Sequence, residues 1–225
     1  MSHPILYSYR RCPYAMRARL SIYFSQIQVE QREIVFWDKP EPMLAASPKG
    51  TVPVLILPDG TVIDESWDIM CWALAEHRLN PVESAASIEQ WVTRNDNEFK
   101  VYLDAYKYPE SEHAQQQARE QGEVFLQQLE SVLSTQPYLL GASLSIVDLA
   151  LFPFIRQFAN VDKAWFAQAN YPALRRWLQT HLESEYFQAV MKKRPVWQAS
   201  HQALWVNEPA FKTRDQFVAK AEGKK

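Results

Sequence analysis

The apolar positions follow two different periods along the chain, and the period changes near residue 80. Up to that point short strand-like and helix-like runs alternate. Ile5-Leu6-Tyr7 reads as a strand and residues 13–25 as a helix. Val29 and Ile34-Val35 mark a second strand within Gln28 to Val35, and Glu41 to Ala46 forms a short helix before the turn Ser47-Pro48-Lys49-Gly50. Val52 to Leu57 and Thr61-Val62-Ile63 flank Pro58-Asp59-Gly60, a hairpin pattern. Ser66 opens a helix that runs to about His77, with Ile69, Met70, Ala73 and Leu74 on one face. The order over 1–78 is β-α-β-α-β-β-α.

Residues 79–85, around Pro81, read as a linker, since proline disfavours helix in the residue before it. Beyond it only helical spacing is seen, so 86–225 is expected to be an all-helical domain. Ile88, Trp91, Val92, Asn95, Phe99, Tyr102, Leu103 and Tyr106 lie on one helical stripe. A second helix covers about 113–134, and a later one starts at Tyr171-Pro172. Ser145-Ile146-Val147-Asp148 has the form of a capping box, a folding element in which each end residue reaches the other's backbone N–H.

Composition narrows the class. The chain has 225 residues, 47% of them apolar, and a net charge of −2. That balance argues against general nucleic-acid or membrane-surface binding, which needs a basic excess. The short Lys-bearing end, Lys220 to Lys225, does not alter this and is expected to fray. The longest apolar run, Leu149 to Ile155, is too short to span a membrane. Arg10 and Arg11 interrupt any apolar stretch of signal-peptide length. Two cysteines are too few for a disulfide framework, which fits a reducing, cytoplasmic setting. The five histidines show no metal-ligand spacing, so no metal is expected.

The chemistry concentrates at Cys12-Pro13-Tyr14-Ala15, where the first strand turns into the first helix. A thiol at a helix start faces unbonded N–H groups and the positive end of the helix dipole, which favour its thiolate. Arg10, Arg11, Arg17 and Arg19 add positive charge. A fall in thiol pKa from about 8.5 to about 6.5 would raise the thiolate share at pH 7 from a few per cent to roughly three quarters. Pro13 suits the first helical turn, where its missing N–H is not needed. A small packed cysteine is the plainer alternative. Ala15 stands where a C-x-x-C pair would have its second thiol, so a mixed disulfide at Cys12 would need an external thiol to resolve it.

The Cys-Pro-Tyr unit resembles a glutaredoxin-type thioredoxin fold. Gly50-Thr51-Val52-Pro53-Val54-Leu55 with Asp64-Glu65-Ser66 looks like the glutathione-binding half of cytosolic glutathione transferases, and Ser145-x-x-Asp148 is similar to that family's second-domain capping box. In family order these motifs cover essentially the whole chain, and Cys12 resembles the cysteine of the omega-like class. The resemblance implies a thioredoxin-like first domain and an all-helical second one, with glutathione as co-substrate. It makes Cys12 the catalytic thiol facing the glutathione sulfur, and places Pro13 and Tyr14 among the glutathione-binding residues. Val52 would serve the cysteinyl backbone, exposed by a cis Pro53. Glu65 and Ser66 would hold the γ-glutamyl amine and carboxylate, and Lys39 the glycyl end. Glu65-Ser66 also reads as a plain helix cap, and Lys39 as a surface lysine. The stretch Trp197 to Trp205 matches no element of that pattern.

The activity implied is a glutathione-dependent thiol transferase or reductase acting on a small disulfide. Conjugation of glutathione to small electrophiles, or a non-enzymatic binding or regulatory role, are the alternatives. A homodimer is the implied assembly. Tyr102, Tyr106, Tyr108 and Trp165 are the aromatic residues eligible for an electrophile pocket, or else for core or dimer contacts, and Cys71 reads as a packing residue.

Overall fold

The computed structural model describes residues 2–79, 81 and 84–208. The Lys-bearing end and part of the expected linker lie outside them. The chain divides into two compact units. One comprises residues up to Ala75 together with the described residues from Glu185 onward, and the other Glu76–Ser184.

In the first unit the strands are β1 (Ile5–Ser8), β2 (Glu30–Glu33), β3 (Val54–Ile56) and β4 (Val62–Ile63). They form one sheet in the order β2-β1-β3-β4. β1 pairs parallel with β2, and antiparallel with β3, which pairs antiparallel with β4 across the expected hairpin. A parallel pair cannot be closed by a tight turn, and α1 (Pro13–Ser25) supplies the crossover. Ile5, Tyr7, Val54 and Ile56 alternate onto one sheet face and pack with Ala15, Ile34, Val52 and Met43, the last from α2 (Glu41–Ala46). Leu6 and Leu55, paired across β1 and β3, take the opposite face. α3 (Ser66–Ala73) packs on α1. This mixed four-stranded sheet with its helices is a thioredoxin-like domain.

The sheet order leaves one side of β2 without a strand neighbour, and the end of the chain covers it. After α10 (Glu185–Val190), the Trp197 N–H donates to the Glu33 carbonyl at 2.8 Å. The Gln31 N–H donates to Leu204 O at 2.7 Å, and the Val206 N–H to Val29 O at 3.0 Å. Covering an edge in this way removes a template for unwanted pairing. The Arg32 guanidinium lies 4.4 Å from the Trp197 ring centroid and 5.5 Å from that of Tyr7, whose hydroxyl accepts from it at 2.8 Å. Residues 185–208, which the sequence reading put in the helical domain, thus group with the sheet.

The second unit is helical: α4 (Ala85–Arg94), α5 (Lys100–Lys107), α6 (Glu112–Leu133), α7 (Ile146–Ala159), α8 (Lys163–Gln168) and α9 (Pro172–Glu183). The single helix expected across 88–106 carries a π-helical segment, Asn95–Phe99, where the Lys100 N–H reaches back five residues to the Asn95 carbonyl. The capping box is present at the start of α7. Asp148 accepts the Ser145 N–H at 3.0 Å and the Ser145 hydroxyl at 2.6 Å. Its other oxygen takes the Leu139 N–H at 3.0 Å and the Trp177 indole N–H at 2.8 Å. No described helix is long and apolar enough to cross a membrane.

His181, fully buried in α9, stacks on Phe152 at 4.9 Å and meets the Trp177 ring edgewise at 4.5 Å. Burial pulls its imidazole down to about 3 from an ordinary 6.5. Above the ordinary value both folded and unfolded rings are neutral and nothing is lost. Below it the unfolded chain takes up a proton that the native ring refuses, so stability falls as pH drops from about 6.5 towards about 3. The slope is about 1.4 kcal/mol per pH unit. Urea midpoints measured from pH 7 to 4.5 should fall steeply in the native protein and less steeply in His181→Leu. Equal slopes would contradict this.

Candidate active site

The site begins at the break between β1 and α1. Cys12 is the N-cap of α1 with extended backbone (φ −69°, ψ 124°), and Pro13 occupies the first turn. The Cys12 N–H closes the preceding turn onto Tyr9 O at 3.1 Å, while its carbonyl accepts the first helical bond from the Met16 N–H at 2.9 Å. The partly buried thiol faces the Val52 carbonyl, with Sγ to O 3.7 Å. The Val52–Pro53 peptide bond is cis. β3 starts at Val54, so Pro53 lies outside the ladder and its missing donor interrupts nothing.

Glu65 is the N-cap of α3 and Ser66 its first residue. The Ser66 hydroxyl is buried and accepts from Arg17 Nε at 3.0 Å, which leaves its own proton available to donate. Arg17 is itself buried on α1 and lies 5.2 Å from the centroid of the Tyr14 ring. The Cys12 helix and the Ser66 helix are thereby joined by a cation.

The Glu65 carboxylate is exposed and meets Lys49 Nζ at 2.7 Å, while Asp64 meets the same ammonium at 3.0 Å. Ser47 donates to the second Asp64 oxygen at 2.7 Å. The Ser47 hydrogen bond, then Lys49, hold the Asp64 carboxyl below its ordinary range. Hydrogen bonds to Glu65 and then Asp64 push the Lys49 ammonium up. Lys49 is the residue that sequence reasoning read only as part of a turn; no spacing rule links it to acids that β3 and β4 bring back to it. Lys39 extends to Gly50, its Nζ standing 3.3 Å from where a Cβ on that residue would lie. Gly50 has φ +63°, so the turn before Val52 needs glycine for its backbone as well as for this approach.

The other sequence-marked residues fall into different settings. Tyr106 is buried against Phe158 at 4.8 Å and belongs to the core of the second unit, while the half-buried Trp165 lies near Phe158 and 4.8 Å from the Arg119 guanidinium. Tyr102 lines a small cavity with Arg94, Glu98 and Phe99, and Tyr108 is exposed under Lys107. Cys71 is partly buried in α3, and burial, then the Asp68 carboxylate, push its thiol up, away from reactivity. Among the described residues no group of His, Cys, Asp and Glu could hold a metal ion.

Residues 6–83 match the family model for the glutathione S-transferase N-terminal domain, and residues 89–180 match that for the C-terminal domain. The chain belongs to the glutathione S-transferase family. Among glutathione transferases of known structure, a bacterial one, BphK, solved as a ternary complex, superposes with a TM-score of 0.74 at 21% identity, covering 83% of this chain and 97% of that one. A glutathione transferase of Phanerochaete chrysosporium in complex with oxidized glutathione gives 0.73 at 20% identity, covering 83% and 93%. By sequence, the probable glutathione S-transferase parA of Nicotiana tabacum is 26% identical, over 76% of this chain and 81% of its own. Elongation factor 1-gamma of Drosophila melanogaster is 25% identical over 83% of this chain but only 46% of its own length. The chain spans less than half of the elongation-factor relatives it matches first.

Proposed function

We propose that this glutathione transferase is a glutathione-dependent thiol transferase or reductase of omega-like type, with Cys12 as nucleophile. The observation that carries the reading is a thiol at the start of α1 facing the Val52 carbonyl beside a cis Pro53. The Cys12 thiolate attacks the glutathionyl sulfur of a mixed or small disulfide. A Cys12–glutathione disulfide forms, and the other thiol leaves as a thiolate that takes a proton from solvent. Because Ala15 offers no second thiol, a glutathione thiolate attacks the bound glutathionyl sulfur, releasing oxidised glutathione and restoring the Cys12 thiolate.

The tripeptide is held by chemistry it needs. Glu65 accepts its ammonium, in exchange for or beside Lys49. The Ser66 hydroxyl and the first N–H groups of α3 donate to its α-carboxylate, with Arg17 behind them. The Val52 backbone takes the cysteinyl part, Lys39 the glycyl carboxylate, and Pro13 and Tyr14 flank the sulfur. The protein acts in the cytoplasm as a homodimer in this reading.

Two assays test it. Glutathione-dependent reduction of hydroxyethyl disulfide should be fast and conjugation of chlorodinitrobenzene slow; the reverse order would move the role of Cys12 to hydrogen-bonding a glutathione thiolate. Glu65→Gln and Ser66→Ala should each raise KM for glutathione about tenfold, the loss of one charge-assisted hydrogen bond, and an unchanged KM in both would remove them from the site. A non-enzymatic binding role is favoured by one observation, the elongation factor 1-gamma relatives. It predicts a folded protein with no turnover in either assay.

A further inference from the structure

The turn carrying Cys12 is held from below by a buried arginine. Arg19 lies on α1 with no exposed surface. Its Nη1 donates to the Ser8 hydroxyl at 2.5 Å and to Tyr9 O at 3.3 Å, and its Nη2 donates to Arg10 O at 2.8 Å. Its Nε donates to Val190 O, at the end of α10, at 3.1 Å. One planar fork thus grips three consecutive residues of the β1–α1 turn and the C-terminal segment together. Glu33, buried in β2, holds the same turn from the other side by accepting the Arg10 N–H at 2.6 Å.

We infer that Arg19 is the positioning residue for Cys12: its guanidinium fixes the turn that aims the thiol and keeps a positive charge beneath it, and α10 completes its seat. This rests on the reading of Cys12 as a reactive thiol. Burial pulls the guanidinium down to about 10, so it remains charged at neutral pH. Glu33 and Cys12 favour its cation, and Arg10 and Arg194 oppose it. An arginine buried only for packing would sacrifice solvation that leucine or methionine would not. Here its nitrogens aim at the turn, at α10 and at the adjoining Met191 sulfur.

The test is the pH dependence of Cys12 alkylation by iodoacetamide, located by peptide mass spectrometry to separate it from Cys71. In the native protein the midpoint should lie well below that of a free thiol. In Arg19→Met it should rise, with the rate at neutral pH falling about five- to tenfold. Arg19→Lys, which keeps the charge and loses the fork, should restore only part of the midpoint, and full recovery would overturn the role given to the fork. A folded Arg19→Met with the native midpoint overturns the inference alone. A native midpoint near the free-thiol value of about 8.5 overturns the functional reading as well. If Arg19→Met does not fold, Arg19→Gln decides: its amide can still donate to the turn but carries no charge, so the midpoint should rise, and a folded Arg19→Gln with the native midpoint counts against the inference.

Discussion

Replacing Cys12 with serine should lower kcat/KM for glutathione-dependent reduction of hydroxyethyl disulfide by about three orders of magnitude or more. Thiol–disulfide exchange needs a thiolate as attacking group and again as leaving group. A serine hydroxyl is not ionised at neutral pH and forms no disulfide, so neither half of the cycle can run through it. The substitution is nearly isosteric. A hydroxyl can still donate to the Val52 carbonyl that the thiol now faces, so stability should change by less than about 1 kcal/mol. The proposed glutathione contacts at Glu65, Ser66 and Val52 should survive. A Cys12→Ser protein that keeps a tenth of native activity would place the reacting sulfur elsewhere.

The largest expected loss of stability is at Asp148. Its two oxygens, fully buried, accept the Ser145 N–H and hydroxyl, the Leu139 N–H and the Trp177 indole N–H. Alanine leaves three N–H donors without their acceptor, at about 1–3 kcal/mol for each buried unsatisfied group. One effect runs the other way: burial pushes the carboxyl up, so removing the charge recovers some desolvation. The donors outweigh it, and Asp148→Ala should cost about 3–5 kcal/mol. Asp148→Asn should cost less, because an amide oxygen keeps one side of the network. Urea unfolding followed by Trp fluorescence checks both, and an alanine variant within about 1 kcal/mol of native would contradict the assignment.

The sequence made the first 78 residues readable because each element there is short and bounded by its own turn chemistry. Pro13 and Pro40-Glu41-Pro42 mark helix starts, and Pro58-Asp59-Gly60 marks the hairpin. β2 lies within the strand read at Gln28 to Val35 from Val29 and Ile34-Val35, but the burial of its own residues was not legible. Glu30-Gln31-Arg32-Glu33 carries no apolar alternation, yet Gln31 and Glu33 are buried. They are buried because the chain end lies over that edge, a contact between residues some 170 positions apart that no local period encodes. The same long-range contact explains why Trp197 to Trp205 matched no family element: it serves the sheet through Arg32 and Glu33, not the helical domain. In the candidate site, Cys12 was visible because it sits at a helix start, while Pro53 and the Glu65-Ser66 pair were marked by their resemblance to the family's motif. Lys49 was not, since its partners are set by the return of β3 and β4. Arg19 was counted as one of four nearby positive charges, but its burial and its grip on the turn are properties of packing.

The most direct test of the central claim is the covalent intermediate. The native protein should be incubated with oxidised glutathione, quenched with acid, and mapped by peptide mass spectrometry. A single glutathionyl group on Cys12, removed by adding reduced glutathione, is the predicted result. Cys12 left unmodified while the protein binds glutathione, or an adduct on Cys71 alone, would contradict a thiol-transferase cycle through Cys12.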